Sequence, residues 1–408
     1  MKKAIFLFVF AFSYGLIFSQ DSVTFRSGSL LLNGTFSTPQ GTGPFPVVVF
    51  SHGSGANDRD QTLPLTSANH ACLLPGLYKD TVRNFKDLAN SFNDHGIAVF
   101  RYDKRTYTHK NLNPRTITPY DFVQDIHAAV NFIKSQSKVD TSCIMLLGHS
   151  QGGNFISIVA NERNDISALI ALGTGARGID SIIAIQQRDI YYKCLKDTLT
   201  GDSISTQTLV DFGKIRDGSW NPNTLYFGSY PKFWKEWIDI TDSTIINYQN
   251  ASQPTLLLHA MEDFNIPLED ARRFENQVNR SDFDVYYMNG LNHYFTTSTN
   301  PVVAQVVTDT IAQWLKKIKL NSNISTEKPQ SKRLTIGYTS SQFIVTSNAT
   351  ELIQNLNVID LNGRLVKSKL PEGDNKVYLE KTDFRKGMYL LVVQTNQNIY
   401  KYKVVIEN

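Results

Sequence analysis

Cysteine is scarce in this chain of 408 residues, which contains only Cys72, Cys143 and Cys194. So few thiols exclude the disulfide framework of small secreted domains. Cys143 begins an apolar run and is expected to lie in the core. Cys72 and Cys194 would pair in an oxidising compartment, but two buried free thiols fit the sequence equally well, and both interpretations stay open.

Motifs for metal and nucleotide binding are also missing. The sequence has no H-E-x-x-H or C-x-x-C spacing and no clustered histidine pair, so no metal site is expected. No Walker loop or dinucleotide fingerprint follows any predicted strand. We therefore expect a reaction that needs no cofactor.

Charge of one sign is in small excess, with 41 Lys and Arg against 37 Asp and Glu. A basic balance can indicate a nucleic-acid or membrane partner. Residues 1–331, however, hold 30 basic and 30 acidic side chains, whereas residues 332–408 hold 11 and 7. The excess belongs to the C-terminal part alone, so a nucleic-acid partner is not expected.

A long transmembrane stretch is lacking as well. Lys2 and Lys3 precede an apolar run at residues 4–18, which is shorter than the roughly 20 residues of a membrane-spanning helix. A short basic region before such a run is typical of a secretory signal peptide. We predict a signal peptide at residues 1–20 and no stable membrane span.

The C-terminal part has the texture of a separate β domain. Residues 320–334 are polar, small and proline-containing, which is typical of a linker. Beyond them the hydrophobic period is two, with turns predicted at Asn362-Gly363 and Lys386-Gly387. The predicted strands are 343–345, 356–361, 377–379, 388–393 and 400–406. Residues 335–408 are therefore predicted to form a small antiparallel β-sandwich.

Three segments of this part carry a specific resemblance: residues 357–366 (Asn-Val-Ile-Asp-Leu-Asn-Gly-Arg-Leu-Val), residues 387–392 and the basic terminal strand. Together they resemble the C-terminal sorting domain of type IX secretion cargo. The resemblance implies a secretion machinery as partner and passage across the outer membrane to the cell surface or the medium, with the tail removed or used for attachment. The alternative is an ordinary β-sandwich accessory module, which would stay on the mature protein.

Between residues 21 and 319, apolar runs typical of strands alternate with stretches of helical period. The predicted strands are 23–26, 30–36, 47–51, 97–102, 143–147, 168–172, 255–259 and 284–288. The predicted helices are 84–93, 119–137, 151–161, 268–279 and 302–318. An opening hairpin followed by β-α alternation predicts a mostly parallel sheet with helices on both faces. Ligands of such sheets bind at the carboxyl ends of the strands.

The sequence after the strand at 143–147 carries the first chemical signature. Residues 148–152 are Gly-His-Ser-Gln-Gly, a G-x-S-x-G motif, and a helical pattern follows. A serine between a strand and a helix, flanked by glycines that allow a sharp turn, is typical of a nucleophile elbow. A tight turn without chemistry is the alternative, but the flanking strand and helix favour Ser150 as the nucleophile.

A serine nucleophile needs a base and an acid that orients the base. After the strand at 255–259, the spacing D-x-x-I-P resembles the acid turn of many α/β-hydrolases and selects Asp263 over Glu262. His293 is the only histidine beyond Asp263 and follows the last predicted strand. A single carboxylate or histidine in a loop is usually a surface residue without a catalytic role. The order Ser150, Asp263, His293 nevertheless predicts a triad.

An oxyanion hole is predicted from the strand at 47–51. That strand ends in His52-Gly53-Ser54-Gly55, an H-G-x-G motif that brings a backbone N–H near the elbow. The expected donors are the amides of Ser54 and Gln151. We interpret His52 as a structural residue that supports the loop.

With these motifs in place, residues 22–319 resemble an α/β-hydrolase. More narrowly, the H-G-S-G-x-x-D-R-D segment at 52–60 and the R-Y-D-K-R segment at 101–105 resemble bacterial serine esterases related to dienelactone hydrolases. The resemblance implies hydrolysis of carboxylic esters without a cofactor. We expect five charged residues to support loops through ion pairs: Asp58, Arg59, Asp60, Asp103 and Arg105. For Arg59, a contact with the substrate is the alternative.

Two insertions depart from the pattern. About twenty extra residues, 62–82, are expected near the mouth of the site. Residues 175–250 are expected to form a helical cap whose second half is rich in aromatic residues: Trp220, Tyr226, Phe227, Tyr230, Phe233, Trp234 and Trp237. These side chains suit either a lid over an acyl or aryl pocket or the core of the cap itself.

The sequence as a whole predicts a secreted serine hydrolase that cleaves small-molecule carboxylic esters through an acyl-enzyme. A peptidase or amidase on the same fold is the nearest alternative, since amides need the same triad. A non-catalytic surface-binding protein is the second alternative, and the intact triad argues against it.

Overall fold

The computed structural model describes residues 19–318, 335–338, 342–347, 352–360, 364–371, 375–396 and 399–406. The chain divides into two compact units, the first ending at Thr326 and the second beginning at Glu327. Residues 1–18 of the predicted signal peptide lie outside the described residues. So do the predicted linker at 320–334 and the turn at Asn362-Gly363.

The larger unit is built on one mixed sheet. Its chain contains β1 (Ser19–Ser27), β2 (Leu30–Thr38), β3 (Phe45–Ser51), β4 (Thr62–Pro64), β5 (Thr81–Arg83), β6 (Ala98–Tyr102), β7 (Val139–His149), β8 (Ala168–Leu172), β9 (Thr255–Ala260) and β10 (Phe283–Met288). Eight of these strands form the sheet in the order β1-β2-β6-β3-β7-β8-β9-β10. β1 and β2 are an antiparallel hairpin, and the strands from β6 to β10 are parallel.

The helices of this unit cover the sheet or form its insertions. They are α1 (Ala68–Leu73), α2 (Asn84–Asp94), α3 (Arg105–Thr108), α4 (Pro119–Lys134), α5 (Gln151–Glu162), α6 (Ile179–Ile190), α7 (Thr198–Arg216), α8 (Pro231–Asp242), α9 (Thr244–Asn250), α10 (Leu268–Gln277) and α11 (Gln305–Lys317). One apolar core packs α4, α5, α9 and α10 on one face, and a second packs α2 and α11 on the other. Every residue of β8 and β9 is buried, as expected for parallel strands covered on both faces. The α/β-hydrolase fold class is therefore confirmed.

Predicted and observed helices differ mainly at their ends. The helix predicted at 119–137 stops at Lys134, where the amide of Ser135 bonds back to Phe132 and Ile133. Its start is fixed by a capping box, in which Thr118 and Asp121 each accept a backbone amide of the other residue. The helix predicted at 302–318 begins only at Gln305.

The two insertions lie above the strand ends and are joined by a covalent bond. The first insertion is the β4–β5 hairpin with α1 inside it. The cap comprises α6 to α9, with a π-helical turn, Tyr191–Leu195, after α6. Cys72 of α1 and Cys194 of the π-turn form a disulfide, and Cys143 is a buried free thiol. Of the two interpretations that the sequence left open for Cys72 and Cys194, the structure therefore supports the disulfide.

The smaller unit is an antiparallel β-sandwich, as predicted. Its strands are β11 (Thr335–Tyr338), β12 (Gln342–Thr346), β13 (Ile353–Asp360), β14 (Leu365–Lys369), β15 (Lys376–Glu380), β16 (Gly387–Thr395) and β17 (Ile399–Ile406). The two sheets have the orders β11-β12-β15 and β14-β13-β16-β17 and share one apolar core. β14 was not predicted, because its residues are mostly exposed and lack an apolar alternation.

Within the described residues, no helix combines the length and the apolarity that a membrane crossing requires.

Candidate active site

Ser150 stands on a sharp turn between β7 and α5. Its φ angle is +53°, a left-handed conformation that costs energy for a residue with a side chain. A Cβ on Gly152 would lie 2.1 Å from the carbonyl oxygen of Ser51, and a Cβ on Gly148 would lie 2.4 Å from the backbone of Gly152. Only glycine fits at these two positions, which is the physical basis of the G-x-S-x-G spacing.

Asp263 and His293 form a buried pair at the ends of β9 and β10. His293 Nδ1 lies 2.7 Å from Asp263 Oδ2, and the two side chains are 3% and 1% exposed. The other oxygen of Asp263 accepts the amides of Asn265 and Ile266, each at 2.8 Å. Burial raises the pKa of Asp263, but His293 and these amides outweigh it and hold the pKa below its ordinary value. Asp263 is therefore an anion that orients the His293 ring, whereas Glu262 is exposed.

Ser150 and His293 line one polar cavity of about 200 Å³, together with Asn57, Gln61 and His70. We call it the inner polar cavity. Gly173 lies beside the pair, since a Cβ there would be 3.2 Å from Asp263 Oδ2 and 3.3 Å from His293 Nδ1. The structure thus brings the three predicted triad residues to one edge of the sheet.

Ser54 and Gln151, the predicted oxyanion donors, both line a cavity with Ser150. Gln151 is the first residue of α5, and the first amides of a helix have no acceptor inside the helix. The carbonyl of Gly53 belongs to the same peptide unit as the Ser54 amide. That carbonyl accepts Lys104 Nζ at 2.7 Å and Asn57 Nδ2 at 3.0 Å.

Lys104 connects the two predicted donors. Besides the Gly53 carbonyl, its ammonium donates to the Gln151 side-chain oxygen at 2.9 Å. The same atom lies 4.4 Å from the ring centroid of Phe122, a cation–π distance. Burial lowers the pKa of Lys104 to about 7, against an opposing effect of Asp125 on α4.

The other histidines near the elbow are poor candidates for the base. Burial lowers the pKa of His52 and of His149 to about 3. His52 Nε2 lies 3.0 Å from the Asp58 carbonyl, so the ring supports the H-G-x-G loop as expected. His149 is held by Gln61 at 2.7 Å and by the His293 carbonyl at 2.9 Å.

Four charged residues of the H-G-S-G-x-x-D-R-D and R-Y-D-K-R segments form ion pairs at the sheet, whereas Asp58 accepts the amide of Thr62 at 2.8 Å. Arg59 binds both oxygens of Asp103, at 3.0 and 2.8 Å, and the Gly34 carbonyl. Arg101 pairs with Asp60 at 2.8 Å. These contacts occupy the Arg59 guanidinium and favour the supporting role.

Arg105 differs from that pattern, because its partners lie on a helix. It binds Asp121 at 2.5 Å and Asp125 at 2.7 Å, both on α4. Arg105 therefore joins the segment that follows β6 to α4, the helix that carries both partners.

The cap contributes aromatic walls above Ser150. A cavity of about 270 Å³ is lined by Ser150, Ile182 and Trp234 among others, and a second one of about 360 Å³ by Phe122 and Trp234. Trp234 and Trp237 stack at 5.4 Å and also belong to the core of the cap with Phe212. Both interpretations of the aromatic segment hold, because the same rings pack the cap and line the cavities. We call these two spaces the aromatic cavities.

Sequence reasoning gave no role to Lys104, Gln61, His149 or His70. Lys104 stands in a segment that was already singled out, directly after β6. Its position at a carboxyl strand end was the available signal. For His70, in an insertion without a known pattern, no signal existed.

Comparisons with known proteins identify the families that the two units match. Residues 68–300 match the family model described as serine aminopeptidase, S33, and residues 328–407 match that of the secretion system C-terminal sorting domain. The esterase EstD of Thermotoga maritima is 26% identical over 312 residues, which cover 73% of this chain and 69% of that protein.

Solved structures that match this chain include Est1E from Butyrivibrio proteoclasticus, with a TM-score of 0.48 and 17% identity over 72% of this chain and 98% of that one. Another is the Pyrococcus horikoshii acylaminoacyl peptidase, with a TM-score of 0.46 and 16% identity over 73% of this chain and 41% of that one.

Proposed function

The chain belongs to the S33 serine aminopeptidase family of α/β-hydrolases, and from this premise we propose that it is an exported serine esterase with the triad Ser150, Asp263 and His293. The observation that carries the proposal is the buried His293–Asp263 pair, 2.7 Å apart, whose histidine lines the same cavity as the elbow serine. A strained serine, a base in the same cavity and an acid bonded to that base are the components that acyl transfer requires.

In the proposed reaction, His293 Nε2 takes the proton of Ser150 Oγ as this oxygen attacks the ester carbonyl. Asp263 stabilises the resulting imidazolium, and His293 then gives the proton to the departing alcohol oxygen. Water attacks the acyl-enzyme by the same steps, which release the acid and regenerate Ser150. The lowered pKa of Asp263 keeps it ionised throughout.

The amides of Ser54 and Gln151 bind the oxyanion, and Lys104 positions both. A planar trans peptide directs its C=O and N–H in opposite directions. The ammonium on the Gly53 carbonyl therefore fixes and polarises the amide of Ser54 on the other side. Polarised hydrogen-bond chains are stronger by about 10–30% per bond. Lys104 is thus a positioning residue for the oxyanion hole.

The C-terminal unit determines where the enzyme is exported. Residues 328–407 are a secretion system C-terminal sorting domain, so a type IX secretion machinery exports the chain to the cell surface or the extracellular space. The esterase therefore acts on substrates outside the cytoplasm.

An aminopeptidase would place a substrate ammonium group in the acyl side of the site. Such a buried cation requires a carboxylate partner. Among the residues described in the two aromatic cavities, none is acidic, and Lys104 adds a positive charge. This charge pattern favours an ester with an apolar acyl group over a substrate with a free amino terminus.

Substitution of Ser150 by Ala tests the proposal. We expect kcat on p-nitrophenyl esters to fall by roughly 10⁴-fold or more, with loss of fluorophosphonate labelling. Unchanged turnover in the folded variant would disprove the assignment, and absence of labelling in the wild type would favour the non-catalytic alternative. A kcat/KM higher for aminoacyl amides than for esters would favour the peptidase.

A further inference from the structure

The cavities around Ser150 differ in which catalytic groups they contain. The inner polar cavity contains both Ser150 and His293. The two aromatic cavities contain Gln151, which is absent from the inner polar cavity, and Ser54 lines all three, whereas His293 is not part of the described lining of the aromatic cavities. The site therefore has one face at the base and another at Gln151, with Ser54 at the boundary between them.

The chemistry of the leaving group assigns these faces, on the premise of the proposed function. His293 must protonate the alcohol oxygen as the ester bond breaks, so the alcohol has to lie on the face that contains His293. The acyl chain then occupies the aromatic cavities. The alcohol accordingly enters and leaves through the inner polar cavity.

The inner polar cavity continues into a second polar space of about 240 Å³, which we call the outer polar cavity. The two share His70, Asn265 and Tyr294. One wall of the outer cavity is the first insertion, and the other is α6 of the cap. The disulfide between Cys72 and Cys194 joins these same two walls, so the space is held at a fixed width.

His70 stands where the two polar cavities meet. Its Nδ1 accepts the Ser67 amide at 3.5 Å in the capping box of α1, which leaves Nε2 to carry the proton. Burial lowers the pKa of His70, so the ring is neutral near pH 7 and its Nε2–H is a hydrogen-bond donor. The side chains of Asn69 and Gln187 add amide donors and acceptors to the outer cavity.

We propose that this double polar cavity is the alcohol subsite and that it selects esters of polyhydroxylated alcohols, such as sugar units, whose acyl group is apolar. Hydroxyl groups are donors and acceptors at once, and they match the neutral imidazole, the amides and the Asp189 carboxylate that line this space. The rings of Phe264 and Tyr294, 5.7 Å apart, provide apolar surface for the carbon faces of such an alcohol. An alkyl alcohol forms no hydrogen bonds with these polar groups, which then stay bonded to water, so it gains less affinity than a polyhydroxylated alcohol.

Two substrates with one acyl group test the proposal: a butanoyl ester of glucose and ethyl butanoate. In the full chain, His70→Ala should lower kcat/KM for the glucose ester by roughly 10-fold, the value of about one hydrogen bond. It should change kcat/KM for ethyl butanoate less than twofold. Asn69→Ala, in the outer cavity, should have the same selective effect with a smaller size.

His127→Ala is the matched control, because His127 on α4 pairs with Glu162 of α5 and lies outside the cavities around Ser150. Fluorophosphonate labelling of Ser150 at the wild-type rate shows that each variant is folded and competent. Equal losses on both esters, or no loss on either in both variants, would overturn the alcohol subsite while the esterase assignment stands. An inactive wild type would instead overturn the proposed function.

Discussion

The floor and the roof of the site are built by different interactions. The floor consists of strand-end residues, such as Ser150, Asp263, His293 and Lys104, held by short hydrogen bonds between buried charges and backbone amides. The roof consists of the first insertion and the cap, held by stacked aromatic rings and by one disulfide. The floor consists of the strand ends of the sheet itself, whereas the roof consists of two insertions that pack on the sheet through α9 and are joined to each other by the disulfide.

This difference separates chemistry from selectivity. A change in the floor alters the transition state of every ester, because each ester uses the same oxygen atoms and the same proton path. A change in the roof alters only those substrates that reach it. Substitutions in the two regions should therefore differ in size and in dependence on the substrate.

The largest effect is expected in the floor, from Asp263→Asn. The amide preserves the shape but cannot stabilise the imidazolium, and it favours the wrong His293 tautomer. We expect kcat to fall by roughly 10⁴-fold, equally for small and large esters, in stopped assays of purified protein. Glu262→Gln, at an exposed neighbour, is the control. A strong loss in that variant instead would assign the acid to Glu262.

The next effect concerns Lys104→Met, which removes the charge and keeps the chain length. We expect kcat to fall roughly 10- to 100-fold with KM nearly constant, less than the loss of a whole oxyanion donor. The variant should also bind a boronic acid inhibitor more weakly than the wild type. A rise in KM at constant kcat would place Lys104 in substrate binding rather than in oxyanion stabilisation.

Because the pKa of Lys104 is lowered, the loss of kcat in Lys104→Met should depend on pH. With a pKa of about 7, the side chain is an ammonium below pH 7 and a neutral amine above it. The groups around it are Asp125 on α4, Arg105 and the neutral His52. The ratio of wild-type to Lys104→Met kcat should therefore be larger at pH 6 than at pH 8.5. A ratio that rises with pH would contradict the assignment.

A smaller and selective effect is expected in the roof, from the double variant Cys72→Ser, Cys194→Ser. In the loop-entropy model, a disulfide between residues 122 positions apart raises the free energy of the unfolded chain by about 4 to 5 kcal/mol. We therefore expect the Tm of the double variant to fall by several degrees. For sugar esters, kcat/KM should drop a few-fold, and for ethyl butanoate it should stay constant. Reductant should reproduce both effects in the wild type and leave the double variant unchanged.

The smallest effect is expected from removal of the second compact unit, residues 327–408. All residues assigned to the floor and the roof lie in the first unit. We expect kcat/KM of the truncated and full-length proteins to agree within twofold on both esters. A larger change would extend the catalytic unit into the tail.

Much of the floor was predictable from the sequence, for physical reasons. Parallel strands covered on both faces need uninterrupted apolar runs, so β3, β7, β8 and β9 were recognisable. The glycines around Ser150 are needed because a Cβ at either position would lie 2.1 to 2.4 Å from backbone atoms, and this requirement leaves a fixed spacing in the sequence. The roles of Ser150, Asp263 and His293 stay a prediction, although the structure brings them together.

The roof was less predictable, because its contacts join segments that are distant in the chain. The pairing of Cys72 with Cys194 depends on where two insertions meet, and no local pattern encodes that. The role of Lys104 depends on its two acceptors, Gly53 and Gln151, which lie in other loops. β14 escaped prediction because its residues are mostly exposed and carry no apolar alternation.

Because of the disulfide across the roof, the maturation of the enzyme depends on its export. A bond of this kind does not persist against the glutathione and thioredoxin of a cytoplasm, so the precursor there has Cys72 and Cys194 as thiols. Oxidation follows only after the chain has crossed the inner membrane. The chain therefore lacks this disulfide until it is exported, and the alcohol selectivity that we propose would be complete only in the exported form.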